Sequence, residues 1–67
     1  MNWNQIEGRW HQLKGSVTQS FGRCTSDDLE QIRGQREIFI GKIQERYGLS
    51  RAAAHEKADQ WLAGVDL

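Results

Sequence analysis

The sequence contains no proline, only one cysteine and no long hydrophobic run. Helices tolerate this composition, since proline is the residue that most strongly interrupts them. The single cysteine, Cys24, excludes an internal disulfide and is typical of a reducing compartment, so we predict a cytoplasmic protein. A chain of 67 residues buries only about 60% of its unfolded surface, and we therefore expect modest stability.

An excess of charge of one sign is also missing. Nine basic residues balance nine acidic ones, and the net charge is zero. Proteins that bind DNA or RNA normally present a basic surface, because neutralising phosphates supplies most of the affinity. The sequence therefore argues against a nucleic-acid partner, although a small helical protein associated with nucleic acid stays the alternative. No apolar run approaches the roughly 20 residues of a membrane span, and residues 1–5 lack the regions of a signal peptide. We predict no membrane partner.

A shift of 26 residues (32 − 6) indicates an internal repeat, because it lays residues 6–22 on residues 32–48. The aligned pairs share their residue type or their apolar character: Ile6 with Ile32, Gly8 with Gly34, Leu13 with Phe39, Gly15 with Gly41, Val17 with Ile43, Phe21 with Tyr47, and Gly22 with Gly48. We predict one domain over residues 1–67, with repeats at about 4–31 and 32–65. A chance match is the alternative, because helices of similar composition align easily.

Four amphipathic helices are predicted from the spacing of apolar residues. In the first, these residues recur at steps of three and four and share one face: Trp3, Ile6, Trp10, Leu13, Val17 and Phe21. The second helix carries Leu29 and Ile32 and weakens at Gly34. The third and fourth are indicated by Phe39, Ile40, Ile43 and Tyr47, and by Ala54, Ala58, Trp61, Leu62 and Val65.

The predicted helices begin and end at residues suited to those positions. Gly22 and Gly48 should end the first and third helices, because glycine adopts the left-handed conformation without steric cost. Thr25 and Ser50 should cap the second and fourth. The acidic pair Asp27–Asp28 lies at the positive end of the second helix dipole. No pattern of strands is present, so we predict an all-α fold of four short helices forming two hairpins.

Glycines inside the predicted helices are an irregularity, since each costs about 0.5–1 kcal/mol relative to alanine. Gly8 and Gly15 lie opposite the apolar stripe of the first helix. Gly34 and Gly41 lie opposite that of the third, with Ile38 between them. These five residues either form a solvated face or allow the backbone of a partner to approach closely. They are the predicted partner-contact face.

The tryptophans invite a second functional interpretation. Trp3, Trp10 and Trp61 could stack on nucleic-acid bases, with Arg9 and Lys14 as phosphate contacts. All three tryptophans fit the apolar stripes of their helices. We therefore predict that they anchor the core.

The residues that could carry chemistry lack the spacing of a known site. His11, His55 and Cys24 belong to no C-x-x-C or H-E-x-x-H motif, and Asp27–Asp28 fits a helix start better than an acid–base pair. We predict no catalytic, cofactor-binding or metal site, and no enzyme. The mixed charges of residues 42–46 predict a solvated helix flank with weak ion pairs, with a polar docking patch as the alternative.

Three segments carry motifs of a known family. Residues 8–15, Gly-Arg-Trp-His-Gln-Leu-Lys-Gly, match the pattern G-x-W-x-Q-x-K-G, and residues 25–28 match T-x-D-D. Residues 32–34 and 41–48 match I-x-G and G-K-I-Q-E-x-Y-G. With these motifs the chain resembles the CsbD-like family of bacterial general stress-response proteins. Cys24 departs from the family pattern, which has an aliphatic residue there, and the departure allows a redox-sensitive turn. The segment after Ser50 is weakly matched.

The resemblance implies a compact array of four helices, with two hairpins packed roughly orthogonally. It also implies stress-linked expression, a cytoplasmic location and no established catalytic activity. It transfers no binding residues. Together with the low hydrophobicity, it leads us to expect a non-enzymatic stress protein, either a hydrophilic protectant or a weak protein-binding module. The protein partner is unknown, and the chain should be a monomer or a weak dimer without cofactors.

Overall fold

Five α-helices make up the computed structural model of the chain, which describes residues 2–65. They are α1 (Trp3–Gly8), α2 (Trp10–Ser20), α3 (Ser26–Ile32), α4 (Arg36–Tyr47) and α5 (Arg51–Gly64). Within the described residues there is no strand, which confirms the predicted all-α class. The predicted number of helices is wrong by one, because the first predicted helix is two.

The break between α1 and α2 lies at a single residue, Arg9. Its backbone angles, φ −118° and ψ 21°, depart from helical values. Its amide N–H reaches both the Gln5 and Ile6 carbonyl oxygens, at 3.0 and 3.2 Å, and Gly8 before it has a low helix propensity. Ile6 and Trp10 are buried on either side. A one-residue break therefore leaves the apolar spacing almost intact, and the periodicity does not reveal it.

Side-chain caps start three of the helices. The Asn2 and Thr25 side chains accept from the Gln5 and Asp28 amides, and in both cases the second side chain accepts in return, which completes a capping box. The Ser50 hydroxyl accepts from the amide at the third position of α5. The caps predicted at Thr25 and Ser50 are confirmed.

The two glycines predicted to end helices behave differently. Gly48 follows α4 in the left-handed conformation, with φ 63° and ψ 37°, as predicted. Gly22 does not have a positive φ. Helix α2 already ends at Ser20, and the Cys24 amide donates to the Phe21 carbonyl at 3.0 Å. This hydrogen bond closes the turn, so a left-handed glycine is not required there.

The link between α3 and α4 contains the other departure from the prediction. Arg33 and Gly34 both have positive φ, 50° and 78°, so Gly34 lies in a turn rather than inside a helix. A Cβ atom on Gly34 would lie 2.6 Å from the Glu7 Cα. The residue is buried against α1, and its predicted place on an open helix face is wrong. The tight turn and the close backbone approach both require glycine.

The helices enclose one core. Helix α5 packs along α4 and α3 packs on α4, while α1 continues into α2 after one residue, so one hairpin, α4–α5, is clear where two were predicted. Phe39 lies at the centre, with ring centroids of four aromatic residues 5.2–6.4 Å away. The buried apolar residues are Ile6, Trp10, Leu13, Val17, Phe21, Cys24, Leu29, Ile32, Phe39, Ile40, Ile43, Ala54, Ala58 and Trp61.

Candidate functional site

The residues of the predicted contact face lie on different elements. Gly8 and Gly15 are exposed on α1 and α2, and Gly41 is half-buried on α4. A Cβ atom built on any of these three would meet nothing within 4 Å. Gly34 does not join them, because it is packed against the α1 backbone. Three of the four glycines are therefore open positions at which a larger side chain could be introduced.

Ile38 is the one large apolar side chain in residues 2–65 that counts as exposed, at 37%. It lies beside Gln35, Arg33, Gln31 and Glu30 in a shallow surface depression. An isolated exposed isoleucine surrounded by polar groups is ordinary on a protein surface. By itself Ile38 does not indicate a binding site.

An ion pair with a buried carboxylate joins the first turn of α3 to α4. The Asp28 side chain is 1% exposed, and both of its oxygens bind the Arg46 guanidinium, at 2.7 and 2.9 Å. Lys42 Nζ lies 3.6 Å from the same carboxylate, and the Thr25 amide donates to it at 2.9 Å. The forked guanidinium matches the two carboxylate oxygens. The Lys42 side chain is 16% exposed, so the prediction of a solvated flank is wrong there, whereas the Arg46 side chain stays 37% exposed although it is paired.

The charged partners of Asp28 keep it ionised. The hydrogen bonds from Arg46 outweigh the opposing effect of burial, and together with the Thr25 amide and Lys42 they hold the pKa of Asp28 well below its usual range. The same contact raises the pKa of Arg46. A carboxylate held in this way is a poor proton donor or acceptor near neutral pH. The cluster therefore stabilises the fold and does not support acid–base chemistry.

Cys24 lies next to this cluster and is 7% exposed. Burial raises the pKa of its thiol, and the negative charge of Asp28 acts in the same direction. Since the thiolate is the reactive form, the environment of Cys24 disfavours nucleophilic attack. Cys24 is therefore a core residue of the turn between α2 and α3.

His55 belongs to a separate polar network between α4 and α5. Its Nδ1 lies 3.1 Å from an Asp59 oxygen, and its Nε2 contacts the Arg36 guanidinium. Glu37 binds Arg51 in the same region. Among the described residues, no group of three or more histidine, cysteine, aspartate or glutamate side chains is arranged to hold a metal ion.

The tryptophans point inward, as predicted. Trp10 and Trp61 are 8% and 6% exposed, and Trp3 packs against the core. The Trp10 Nε1 donates to the Leu29 carbonyl at 2.9 Å, and the Trp61 Nε1 donates to the Ser16 hydroxyl at 3.2 Å. These rings cannot stack on nucleic-acid bases without leaving the core.

A shallow groove lies where the C-terminal ends of α2 and α4 meet α5. Its lining consists of core aromatic and aliphatic residues with polar residues around them: Ser20, Phe21, Ile43, Tyr47, Leu49, Lys57, Gln60 and Trp61. We call it the α2–α5 groove. Sequence reasoning did not identify it, because its sides come from three helices far apart in the chain.

The ion pair of Asp28 was also not predicted, although the spacing of its two basic partners is visible in the sequence. Lys42 and Arg46 are four residues apart and therefore share a helix face. What the spacing could not indicate is which carboxylate that face meets. Residues 25–28 and residues 41–48, which carry two of the family motifs, meet at this cluster. Asp28 and Lys42 are residues of the motifs, whereas Arg46 lies at the variable position of the second, and together they hold α3 on α4.

Comparisons with known proteins point to one family. The family model described as CsbD-like matches residues 4–56. The UPF0337 protein ECA0631 of Pectobacterium atrosepticum is 43% identical over 61 residues, which are 91% of this chain and 88% of that protein. The UPF0337 protein RPA4217 of Rhodopseudomonas palustris is 44% identical over 91% of this chain and 92% of its own length.

A third relative, the UPF0337 protein YjbJ of Escherichia coli K12, is 41% identical over 61 residues, 91% of this chain and 88% of that protein. No solved structure matches the chain. Within residues 2–65, no helix is both long enough and apolar enough to cross a membrane. The family model covers most of the chain, and relatives above 40% identity extend over nearly all of it, so the protein belongs to the CsbD-like family.

Proposed function

We propose that the chain is a non-enzymatic stress-response protein of the cytoplasm that protects other proteins by binding them weakly. The observation that carries the proposal is the Asp28 cluster, in which Asp28 and Lys42 of two family motifs lie 3.6 Å apart. Arg46, at the variable position of the second motif, binds both oxygens of the same carboxylate. Residues occupied in this way are not available to act on a substrate. The remaining surface must then supply the function.

The character of that surface supports weak binding. Apart from Ile38, the large apolar side chains of residues 2–65 are buried or half-buried, so the exterior is mostly polar. Mostly polar surfaces with small apolar contacts favour weak association. A protein with such a surface can accumulate without aggregating, as a protectant needs to.

Five of the nine basic side chains are paired within the chain, which argues against the nucleic-acid alternative. Lys14, Lys42 and Arg46 form ion pairs with carboxylates of the same chain, and Arg36 and Arg51 do so as well. Phosphate contacts would have to compete with these pairs. A filter-binding or polarisation assay at about 50 mM salt, where electrostatic binding is strong, should therefore detect no association with DNA or RNA.

A protection assay tests the proposal directly. An unrelated dehydrogenase is dried or freeze-thawed with this protein, or with an equal mass of a small globular protein of similar charge balance. We expect the dehydrogenase to keep more activity with this protein. Equal recovery with both additives would contradict the proposal.

The open glycines allow a test of surface contact. Gly15→Trp and Gly41→Trp place a large side chain where nothing lies within 4 Å of the Cβ, so the fold should persist. If client proteins touch these faces, protection should decrease in the variants. Unchanged protection would place the contact elsewhere on the molecule.

A further inference from the structure

The α2–α5 groove combines an apolar base with positive charge. Phe21, Ile43 and Trp61 belong to the core and form its base, while the half-buried Tyr47 and Leu49 lie at one side. A partner side chain placed there would meet Tyr47 and Leu49 together with the exposed edges of the Phe21 and Trp61 rings. The groove therefore suits an apolar residue of a partner.

The charge at the groove is of one sign. Lys57 is exposed and lines both parts of the groove, and among residues 2–65 no carboxylate belongs to the lining. The Arg23 guanidinium lies over the Tyr47 ring, 5.5 Å from its centroid. Neither Lys57 nor Arg23 forms an ion pair within residues 2–65. Positive charge beside an apolar base is complementary to a carboxylate that adjoins an apolar side chain.

Polar groups around the groove suit a peptide backbone. Ser20, Gln60 and Tyr47 supply hydroxyl and amide groups along the lining. The Tyr47 hydroxyl accepts from the Arg23 amide at 3.3 Å, so its own proton stays free to donate. The groove is open rather than enclosed, whereas a small apolar ligand would need most of its surface covered. An extended segment of a protein can lie across an open groove.

We infer that the α2–α5 groove binds extended protein segments in which glutamate or aspartate lies next to a large apolar residue. The inference rests on the proposed function and specifies the surface through which clients are contacted. The apolar area is small, so the affinity should be weak, with dissociation constants of roughly 0.1–1 mM.

The first experiment titrates labelled protein with a short synthetic peptide in which glutamate alternates with leucine and phenylalanine, followed by amide chemical shifts. We expect shifts concentrated at Ser20, Tyr47, Lys57 and Gln60 and at the Trp61 indole. Shifts spread over α1 and α3 would overturn the assignment. A second titration uses octanoate in place of the peptide. Binding of octanoate without binding of the peptide would also overturn the assignment of the groove.

Charge reversal provides the matched comparison. Lys57→Glu should weaken binding of the acidic peptide about tenfold, because an attraction at the surface becomes a repulsion. Arg9→Glu changes the net charge equally but lies outside the groove, so its affinity should stay within about twofold of the parent. A peptide with lysine in place of glutamate should bind Lys57→Glu better than it binds the parent. Equal affinities of the two variants for the acidic peptide would contradict the groove.

The protection assay separates this inference from the proposed function. If the parent chain protects the dehydrogenase but Lys57→Glu protects equally well, the groove assignment is wrong and the proposed function stands. If the peptide binds in the groove but the parent chain does not protect, the proposed function is wrong while the groove assignment holds. Circular dichroism of both variants checks that the helices are intact.

Discussion

Residues of the same type affect the stability of this protein differently, because their surroundings differ. Gly15 and Gly34 are an example, because one lies in the middle of α2 facing open space and the other lies in a turn against the Glu7 backbone. Asp28 and Asp27 are another, since the first is buried and paired while the second is exposed in the same helix turn. Each pair allows a controlled comparison within one chain.

Gly15→Ala should stabilise the protein by about 0.5–1 kcal/mol, because alanine is the better helix former and its Cβ meets nothing. Gly34→Ala should destabilise it by about 1–3 kcal/mol, because the residue has a positive φ and the new Cβ would overlap the Glu7 backbone. Urea unfolding measures both. Changes of the same sign at the two positions would contradict the structure.

Asp28→Asn should destabilise the protein by about 2 kcal/mol, since hydrogen bonds to a charged partner are weakened and solvent screens part of the pair. Asp27→Asn is the matched control, because both substitutions remove a negative charge from the first turn of α3. We expect a clearly smaller loss of unfolding free energy for Asp27→Asn. Equal losses would mean that the ion pair with Arg46 contributes nothing.

Cys24 should react slowly with a thiol reagent in the folded protein. Its thiol is buried, and burial raises the pKa of Cys24, so little thiolate is present and access is restricted. We expect labelling to accelerate about tenfold or more in concentrated urea. Equal rates with and without urea would indicate an exposed and reactive thiol, as a redox-sensitive turn would require.

Among the helices, the two shortest, α1 and α3, are stabilised both by caps and by tertiary contacts. Helix α1 has six residues and α3 has seven, which is too short for stability in isolation. Both begin with a capping box, and both depend on other elements: α1 contacts Gly34, and α3 is tied to α4 through Asp28. Neither helix would be expected to form outside the complete chain.

Thr25→Ala should cost about 1 kcal/mol, because it removes the side chain that caps α3. Thr18→Ala is the control, since Thr18 lies inside α2 with its hydroxyl on the Lys14 carbonyl and caps nothing. We expect it to be neutral or slightly stabilising, as alanine is the better helix former. Thermal unfolding of the two variants should therefore separate them, and a larger loss for Thr18→Ala would argue against the cap.

The whole molecule has the dimensions of a folded domain. Its radius of gyration is 10.6 Å, close to the value of about 11 Å expected for a folded chain of this length and far below about 25 Å for an unfolded one. The polar exterior therefore surrounds a fully formed core. The proposed protection would therefore come from a folded protein, in contrast to that by disordered hydrophilic chains.

The stability of the folded molecule should fall in acid. The pKa of Asp28 is lowered by Arg46, and the pKa of Glu30 is lowered by Lys14. A carboxyl group with a lowered pKa contributes stability above its unfolded pKa of about 4, and this stability is lost as the pH falls toward the folded value. Urea midpoints measured from about pH 7 down to about pH 2 should decrease below about pH 4.

Asp28→Asn identifies the source of that pH dependence. The variant lacks the carboxyl group whose pKa is lowered most in the folded protein. Its urea midpoint should therefore decline less steeply in acid than that of the parent. Parallel declines in parent and variant would assign the acid sensitivity to other carboxylates.

The helical class, the inward-facing apolar residues and the caps at Thr25 and Ser50 follow from the sequence alone. These features depend on contacts three or four residues apart, which periodicity and capping chemistry report directly. The same local patterns also placed Trp10 and Trp61 in the core. The family motifs were recognisable for the same reason, as short runs of neighbouring residues.

Tertiary structure decided the features that depend on distant segments. The pairing of the buried Asp28 with Arg46 joins residues 18 positions apart, and Gly34 is constrained by the α1 backbone across the molecule. The α2–α5 groove likewise needs three helices to meet. Helical periodicity states which face of a helix is apolar, but the choice of the facing partner depends on how the whole chain packs.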